Sequence, residues 1–409
     1  MNESLLDPDF IERFRIGPLA PHLDAYIRLL ERQGYSKVSA REQLRAIARF
    51  SEWLGTGGRG LRDVGEETIA RFVRRHPQDI QRGDAAALYR LLRMLREIGA
   101  SRPNAPTAPR SARRRVTDEY RRYLLQERGL SQSTAINYVP FVDQFLSERF
   151  RAGRLNFAAL RAPDITGFVQ RHAHKLCPGR AQLLVTALRS FFRYLQHQGK
   201  IASGLASCVP TVARWSFSTL PKSLPTTAVR RVLERCNRQT PAGRRDYAIL
   251  LLLARLGLRA GEIVALSLED LDWENGRITI RGKGGRWAQL PVPLEVGEAI
   301  ADYLRKDRPR CSSRRVFIRE RAPLVGFANS IAVSSLVMRA LKRAGVDSAR
   351  KGAHLFRHSL AADMLRHGAS LDEIGELLRH QSPDTTAIYA KVDLVALRTL
   401  ALAWPGGGR

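Results

Sequence analysis

Acidic residues and cysteines are scarce in this 409-residue chain. Only 39 Asp and Glu stand against 68 Lys and Arg, which leaves a formal net charge of +29 and a pI near 11.1. So little acid argues against cationic ligands and asks for a polyanion, with nucleic acid the leading candidate. The four cysteines, Cys177, Cys208, Cys236 and Cys311, lie far apart and form no C-x-x-C pair. Their spacing argues against a disulfide frame and a structural zinc site and fits a reducing cytosol. No run of 18 apolar residues occurs, and Met1-Asn2-Glu3 does not open a signal peptide. A soluble, cytoplasmic protein with no membrane association is therefore expected. Hydrophobic residues still make up 44% of the chain, enough for two or three domains with real cores.

What is present is, first, a repetition. Leu29-Leu30-Glu31-Arg32-Gln33-Gly34-Tyr35-Ser36 matches Leu124-Leu125-Gln126-Glu127-Arg128-Gly129-Leu130-Ser131. Ile69, Phe72, Val73, Arg75 and His76 recur as Ile165, Phe168, Val169, Arg171 and His172. Arg93, Leu95 and Gly99 recur as Arg193, Leu195 and Gly199. A period of about 95 to 100 residues is too long for a solenoid and reads as two tandem copies of a four-helix domain. Ser36 and Ser131 would cap the second helix of each copy, leaving backbone N–H groups that could face a phosphate. Residues 101–117, rich in Pro, Ser and Arg, read as a flexible linker whose Arg113, Arg114 and Arg115 would lie along a phosphate backbone. A second linker is expected over 206–225, with Arg214 and Lys222 as backbone contacts.

The other organised stretch runs from His354 to Tyr389. Phe356, Leu360, Ala361, Met364 and Leu365 form the apolar stripe of one helix. Gly368 interrupts it, and Ser370 with Glu373 three residues on gives the capping box of a second helix. On these core-forming helices hang His354, Arg357, His358, His380 and Tyr389. His354 and His358 have a zinc-compatible spacing, but Leu355 stands where the zinc peptidases need Glu, and no metal is expected. Upstream, Arg259 follows the apolar run Ala248 to Ala254, which reads as a helix buried on all sides. An arginine there needs a counter-charge, supplied in part by Glu262 and in part by a bound phosphate. Lys283 sits in Gly282-Lys283-Gly284-Gly285, between two alternating segments, 277–281 and 289–292, that read as a β-hairpin. Two arginines able to grip a phosphate bidentately, a lysine, two histidines and a tyrosine make a phosphoryl-transfer site with its own nucleophile.

The motifs G-L-R-x-x-E from Gly257 to Glu262, H-x-x-R-H from His354 to His358, and His380 followed by Thr385-Thr386 and then Tyr389 resemble those of the tyrosine recombinases, the phage integrase family. The resemblance covers about residues 115 to 400. One departure is Arg379, where the family usually has Gly before the histidine. With the internal repeat, the resemblance implies a mainly α fold: two tandem SAM-like helical domains, then a mostly helical catalytic domain with a small antiparallel β-sheet, the fold of DNA breaking-rejoining enzymes. The expected division is an extra N-terminal SAM-like domain at 1–100, a core-binding domain at 118–205, a catalytic domain with a C-terminal exchange helix at 226–402, and a flexible tail at 403–409.

The resemblance also implies roles. Arg259 and Arg357 would hold the non-bridging oxygens of a scissile phosphate, and Lys283 would protonate the departing 5′ oxygen. His354 would accept a proton near Tyr389 or hold it in place, His380 would hydrogen-bond the phosphate, and Tyr389 would attack. Glu262 and His358 would support them. A free tyrosine has a pKa near 10, so only about one in a thousand is phenolate at neutral pH, and the site must supply positive charge. The implied partners are double-stranded DNA, with Ser131, Arg189 and Arg193 as further contacts, and three more copies of the chain joined through the C-terminal helix. Sister recombinases or accessory DNA-bending proteins would be additional partners, and the protein would be nucleoid-associated. No cofactor is implied, neither ATP nor metal. The rival readings are a type IB topoisomerase-like relaxer and a DNA-binding accessory protein with an inactive site.

Overall fold

The computed structural model describes residues 5–78, 80–101, 111–150, 155–201, 204–212, 223–282, 286–348, 352–380 and 382–389. After a short α1 (Pro8–Glu12), the first copy of the repeat contains α2 (Leu23–Arg32), α3 (Lys37–Thr56), α4 (Glu66–Arg75) and α5 (Asp84–Glu97). The second contains α6 (Ala112–Arg122), α7 (Gln132–Arg149), α8 (Ala162–Ala173) and α9 (Pro178–His197). Each copy has its own hydrophobic core.

The sequence repeat has a physical meaning at each matched position. Ser36 and Ser131 are N-caps, accepting from the N–H groups of Ser39 and Thr134 at 3.3 Å in both cases. Gly34 and Gly129 close the preceding turns with φ of +74° and +57°, a conformation that disfavours any residue with a Cβ. Tyr26 and Tyr120, both fully buried, donate to the carbonyls of Ala87 and Ala187 at 3.3 and 3.4 Å. A buried phenol needs such an acceptor, and the last helix of each bundle supplies it.

The first linker is shorter than expected. Arg113, Arg114 and Arg115 lie on α6, whose first turn is capped by Ser111. Val116 and Thr117 are buried beneath them, and burial of that face draws the chain into helix despite the basic run. The second linker is also trimmed, because Val209 belongs to the core of the second copy with Val212 packed against it. Arg214 and Lys222 lie outside the described residues.

Residues 1–103 and 219–409 form one compact unit and 104–218 another. In the first of these, the Leu324 N–H donates to the Gln33 carbonyl at 2.8 Å, which ties the N-terminal copy to the C-terminal domain. That domain begins with α10 (Thr226–Glu234), α11 (Pro241–Arg255) and α12 (Ala260–Ala265). The three-stranded antiparallel sheet follows: β1 (Leu271–Asp272), β2 (Arg277–Arg281) and β3 (Trp287–Pro291), in the order β1-β2-β3. Ile278 pairs with Leu290 and Ile280 with Ala288, so Ile278, Ile280 and Leu290 face the core. Helices α13 (Leu294–Lys306), α14 (Ser330–Arg343), α15 (His354–Arg366), α16 (Leu371–Leu378) and α17 (Pro383–Ala387) complete it. Residues 248–253 of α11 are entirely buried, as their unbroken apolar character requires. Among the described residues no helix is long and apolar enough to cross a membrane.

Gly257 connects this buried helix to the site. Its φ is +56°, and an added Cβ would stand 2.6 Å from a methyl of Leu378, which is itself fully buried. Gly257→Ala should therefore destabilise the protein by about 2 kcal/mol, combining left-handed strain with overpacking. Urea denaturation checks this, and an unchanged midpoint would contradict it.

Candidate active site

The G-L-R-x-x-E spacing becomes a local clamp. Arg259 is the N-cap of α12, and Glu262 occupies its third position. The Glu262 carboxylate accepts from the Arg259 backbone N–H at 2.7 Å and from Nη1 of the same residue at 2.8 Å. Glu262 is buried, so its charge requires these partners. A third comes from Arg379, whose Nη2 donates to the second carboxylate oxygen at 3.0 Å. Arg259 in turn donates from Nη2 to the Arg379 carbonyl at 3.3 Å.

Arg357, in the first turn of α15, is only 3% exposed. It donates from Nη1 to the Gly257 carbonyl at 2.5 Å and from Nη2 to the Leu378 carbonyl. These bonds use two of its five N–H groups and fix the guanidinium plane. Burial, with Arg259 and Arg379 close by, pushes Arg357 down to about 9, so it remains charged at neutral pH.

Tyr389 follows α17 and is 1% exposed, packed in a satellite core with Ala361, Ile374 and Leu378. Its hydroxyl lies 2.8 Å from Nδ1 of His358. Sequence reasoning expected His354 beside the phenol. The helix instead turns His358, one turn further on, toward the hydroxyl, while His354 is exposed at the start of α15. The H-x-x-R-H pattern contains both candidates on nearly the same helix face, and only their position along the axis, one turn apart, separates them. Burial pushes the Tyr389 pKa up to about 12, partly opposed by Arg357. At that value only about one phenol in a hundred thousand ionises unaided at neutral pH.

His380 stands between these groups. Its Nδ1 lies 2.7 Å from the Thr386 hydroxyl, and its ring is nearly parallel to that of Tyr389, with centroids 6.3 Å apart. Burial, then the charges of Arg357 and Arg259, lower its pKa to about 4, so the free protein holds it neutral at pH 7.

A cavity of about 350 Å³ opens here, lined by Arg259, Gly282, Arg286, Trp287, Arg379 and His380 among others. Gly282 and Arg286 flank the hairpin tip; Lys283 itself, and all residues beyond Tyr389, lie outside the described residues. Arg259, Glu262, Arg357, His358, His380 and Tyr389 are thus brought together from positions up to 130 residues apart. Arg379 was singled out only as a departure, and its contact with Glu262 was not foreseen. Its conformation offers the missing signal: φ is +54°, and it is the one non-glycine residue with positive φ among the described residues. That αL position costs an L residue about 1–2 kcal/mol, which explains why glycine suits it.

The expected DNA contacts divide. Arg115 and Arg193 are exposed, Arg113 pairs with Asp143 at 3.1 Å, and Arg114 approaches Asp118 at 3.9 Å. Ser131 is an exposed helix cap. Arg189 instead donates to the Val209 carbonyl at 2.9 Å and to the Thr211 hydroxyl at 2.8 Å, a latch that holds the end of its own domain. No cluster of potential metal ligands occurs among the described residues.

The chain thus carries two helical bundles, a helical domain with a small antiparallel sheet, and a buried Arg357 close enough to Tyr389 to oppose the rise of its pKa. Residues 117–199 match the phage integrase N-terminal SAM-like domain and 222–394 match the phage integrase family. The chain is 49% identical over 391 residues to a putative integrase/recombinase, y4rA, of Sinorhizobium fredii, covering 95% of each protein. It is 30% identical over 288 residues to tyrosine recombinase XerD of Listeria innocua, covering 69% of this chain and 96% of that one. Its fold is similar to the crystal structure of XerH site-specific recombinase bound to a palindromic difH substrate in a post-cleavage complex. The TM-score is 0.57 at 18% identity, over 82% of this chain and 94% of that one. The chain belongs to the tyrosine recombinase (phage integrase) family and is a site-specific recombinase acting on DNA.

The lowered His380 pKa has a consequence for stability. The unfolded chain takes up this proton near pH 6.5 and the folded chain only near 4, so stability is full above pH 6.5 and falls between these values. With the ring half solvated the contribution is about 1–2 kcal/mol, less than the bare shift would give. Denaturant titrations at about pH 7 and pH 4 should show the wild type losing that much more than His380→Gln. Equal losses would contradict the assignment.

Proposed function

We propose that Tyr389 attacks a DNA phosphodiester held by Arg259 and Arg357, forming a 3′-phosphotyrosyl link and releasing a 5′ hydroxyl. The observation that carries this reading is the 2.8 Å contact between the Tyr389 hydroxyl and His358, on a phenol near enough to Arg357 for that charge to oppose the rise of its pKa. A phenol with a pKa near 12 does not react as a free phenolate and needs a base at the moment of attack. His358 takes the proton through Nδ1, a role assigned before only in outline to His354. Negative charge that builds on the phosphate oxygens is met by the remaining N–H groups of Arg259 and Arg357, already oriented by Glu262 and by backbone carbonyls. The Thr386 hydroxyl, donating to Nδ1 of His380, leaves the proton on Nε2, from which the neutral ring donates to the phosphate. Lys283, on the hairpin tip whose ends line the cavity, protonates the departing 5′ oxygen.

The P–O bond to tyrosine replaces the P–O bond to deoxyribose, so a 5′ hydroxyl from a second duplex can reverse the step without ATP or metal. Such exchange fits a recombinase of a mobile element, working as a tetramer on two duplexes. The apolar stripe Val392, Val395, Ala396, Leu400 and Ala403 supplies the contact between copies. The basic first turn of α6, with Arg193, supplies phosphate contacts in the core-binding domain.

Incubation with a nicked duplex that loses its 5′ fragment should trap a covalent adduct with the wild type and none with Tyr389→Phe. Adduct with both proteins would overturn the role of Tyr389, and adduct with neither would favour a binding protein. Relaxation of supercoils on any sequence, without strand exchange, would favour a topoisomerase.

A further inference from the structure

Three guanidiniums meet one carboxylate at the centre of this site. Arg259 and Arg379 bind opposite oxygens of Glu262, and both lie close enough to Arg357 to help hold its pKa down. Two positive charges are therefore uncompensated among these four side chains. Arg379 holds a backbone conformation that glycine adopts without strain, at φ +54° and ψ +51°. Its side chain is 13% exposed, and it lines the cavity with Arg259 and His380. Its Nη1 donates to the Leu377 carbonyl at 3.1 Å, while its Nε is buried with no acceptor among the described residues.

A carboxylate beside a phosphate-gripping arginine has two opposed effects. It orients the guanidinium, but it also cancels part of the charge that the phosphate would otherwise meet. The paired contacts on Glu262 separate these effects. Arg379 binds one oxygen, which it shares with the Arg259 backbone N–H, and the Arg259 guanidinium takes the other, so Arg259 is oriented while Arg379 offsets part of the negative charge.

We infer that Arg379 is a positioning residue for strand cleavage: by occupying one oxygen of Glu262 it reserves the charge of Arg259 for the scissile phosphate. This rests on the reading of the cavity as the phosphodiester site. It follows that a chain with glycine at this position would keep the Arg259–Glu262 clamp but present less positive charge.

The test uses the full-length protein and nicked duplexes carrying either an ordinary scissile phosphate or a methylphosphonate, which has no negative charge there. With the phosphate substrate at saturating DNA, Arg379→Gly should form adduct at least tenfold more slowly than wild type. Arg379→Lys should stay within about threefold, because it keeps the charge. With the methylphosphonate, wild type and Arg379→Gly should differ by less than twofold. An unchanged rate for Arg379→Gly on the phosphate would overturn the inference. So would the same penalty on both substrates, or failure of Arg379→Lys to restore the rate, since each would mark a role in shape alone. If the wild type gives no adduct on either substrate, the reading of the cavity itself fails and the inference with it. Thermal melting of Arg379→Gly at or above the wild-type midpoint would show that slower reaction is not loss of fold.

Discussion

The arrangement of the site depends on one buried carboxylate. Glu262 lies at the start of a six-residue helix with both oxygens engaged, one by Nη1 of Arg259 and the other by the Arg259 backbone and Arg379. A buried anion left unpaired would be costly, so these contacts hold the surrounding segments in place. Arg259 is fixed at the end of the apolar helix, and Arg379 is fixed between the last helical turn of α16 and His380. Tyr389 packs against Ile374 and Leu378 of that same helix, so its phenol and the guanidiniums share one local scaffold.

The same burial bears on the charge of each group at the site. Burial raises the phenol, lowers His380 and lowers Arg357, each away from the charge state that favours the bare ion. A phosphate entering the cavity adds the missing negative charge and opposes the repulsion among the cations. On the reading proposed above, the substrate completes the reactive arrangement.

Much of this was legible in the residues. The tandem repeat was visible because its positions are constrained one by one: a serine must cap, a glycine must turn left-handed, a buried tyrosine must find a carbonyl. The capping box at Ser370 and the β-hairpin at 277–291 were legible for the same reason, as local chemistry dictates local structure. Contacts set by helix phase or by distant packing were not. His354 and His358 are equivalent as letters and share a helix face, and only where α15 meets the segment carrying Tyr389 brings the second of them to the phenol. The basic run 113–115 looked like linker because its charge conceals the buried Val116, Thr117 and Tyr120 behind it. Arg189 reads as a phosphate contact in the sequence, which gives no hint of its bonds to the Val209 carbonyl and the Thr211 hydroxyl. Arg379 looked like a tolerated change because a helix end gives no hint of a carboxylate 117 positions earlier.

The central claim is that this scaffold makes one particular phenol the point of attachment for DNA. Mapping the peptide that carries the oligonucleotide after trapping and proteolysis tests it most directly. The account predicts a single modified peptide containing Tyr389, joined to the 3′ phosphate of the cleaved strand. Attachment to any other residue, or through a 5′ phosphate, would contradict it.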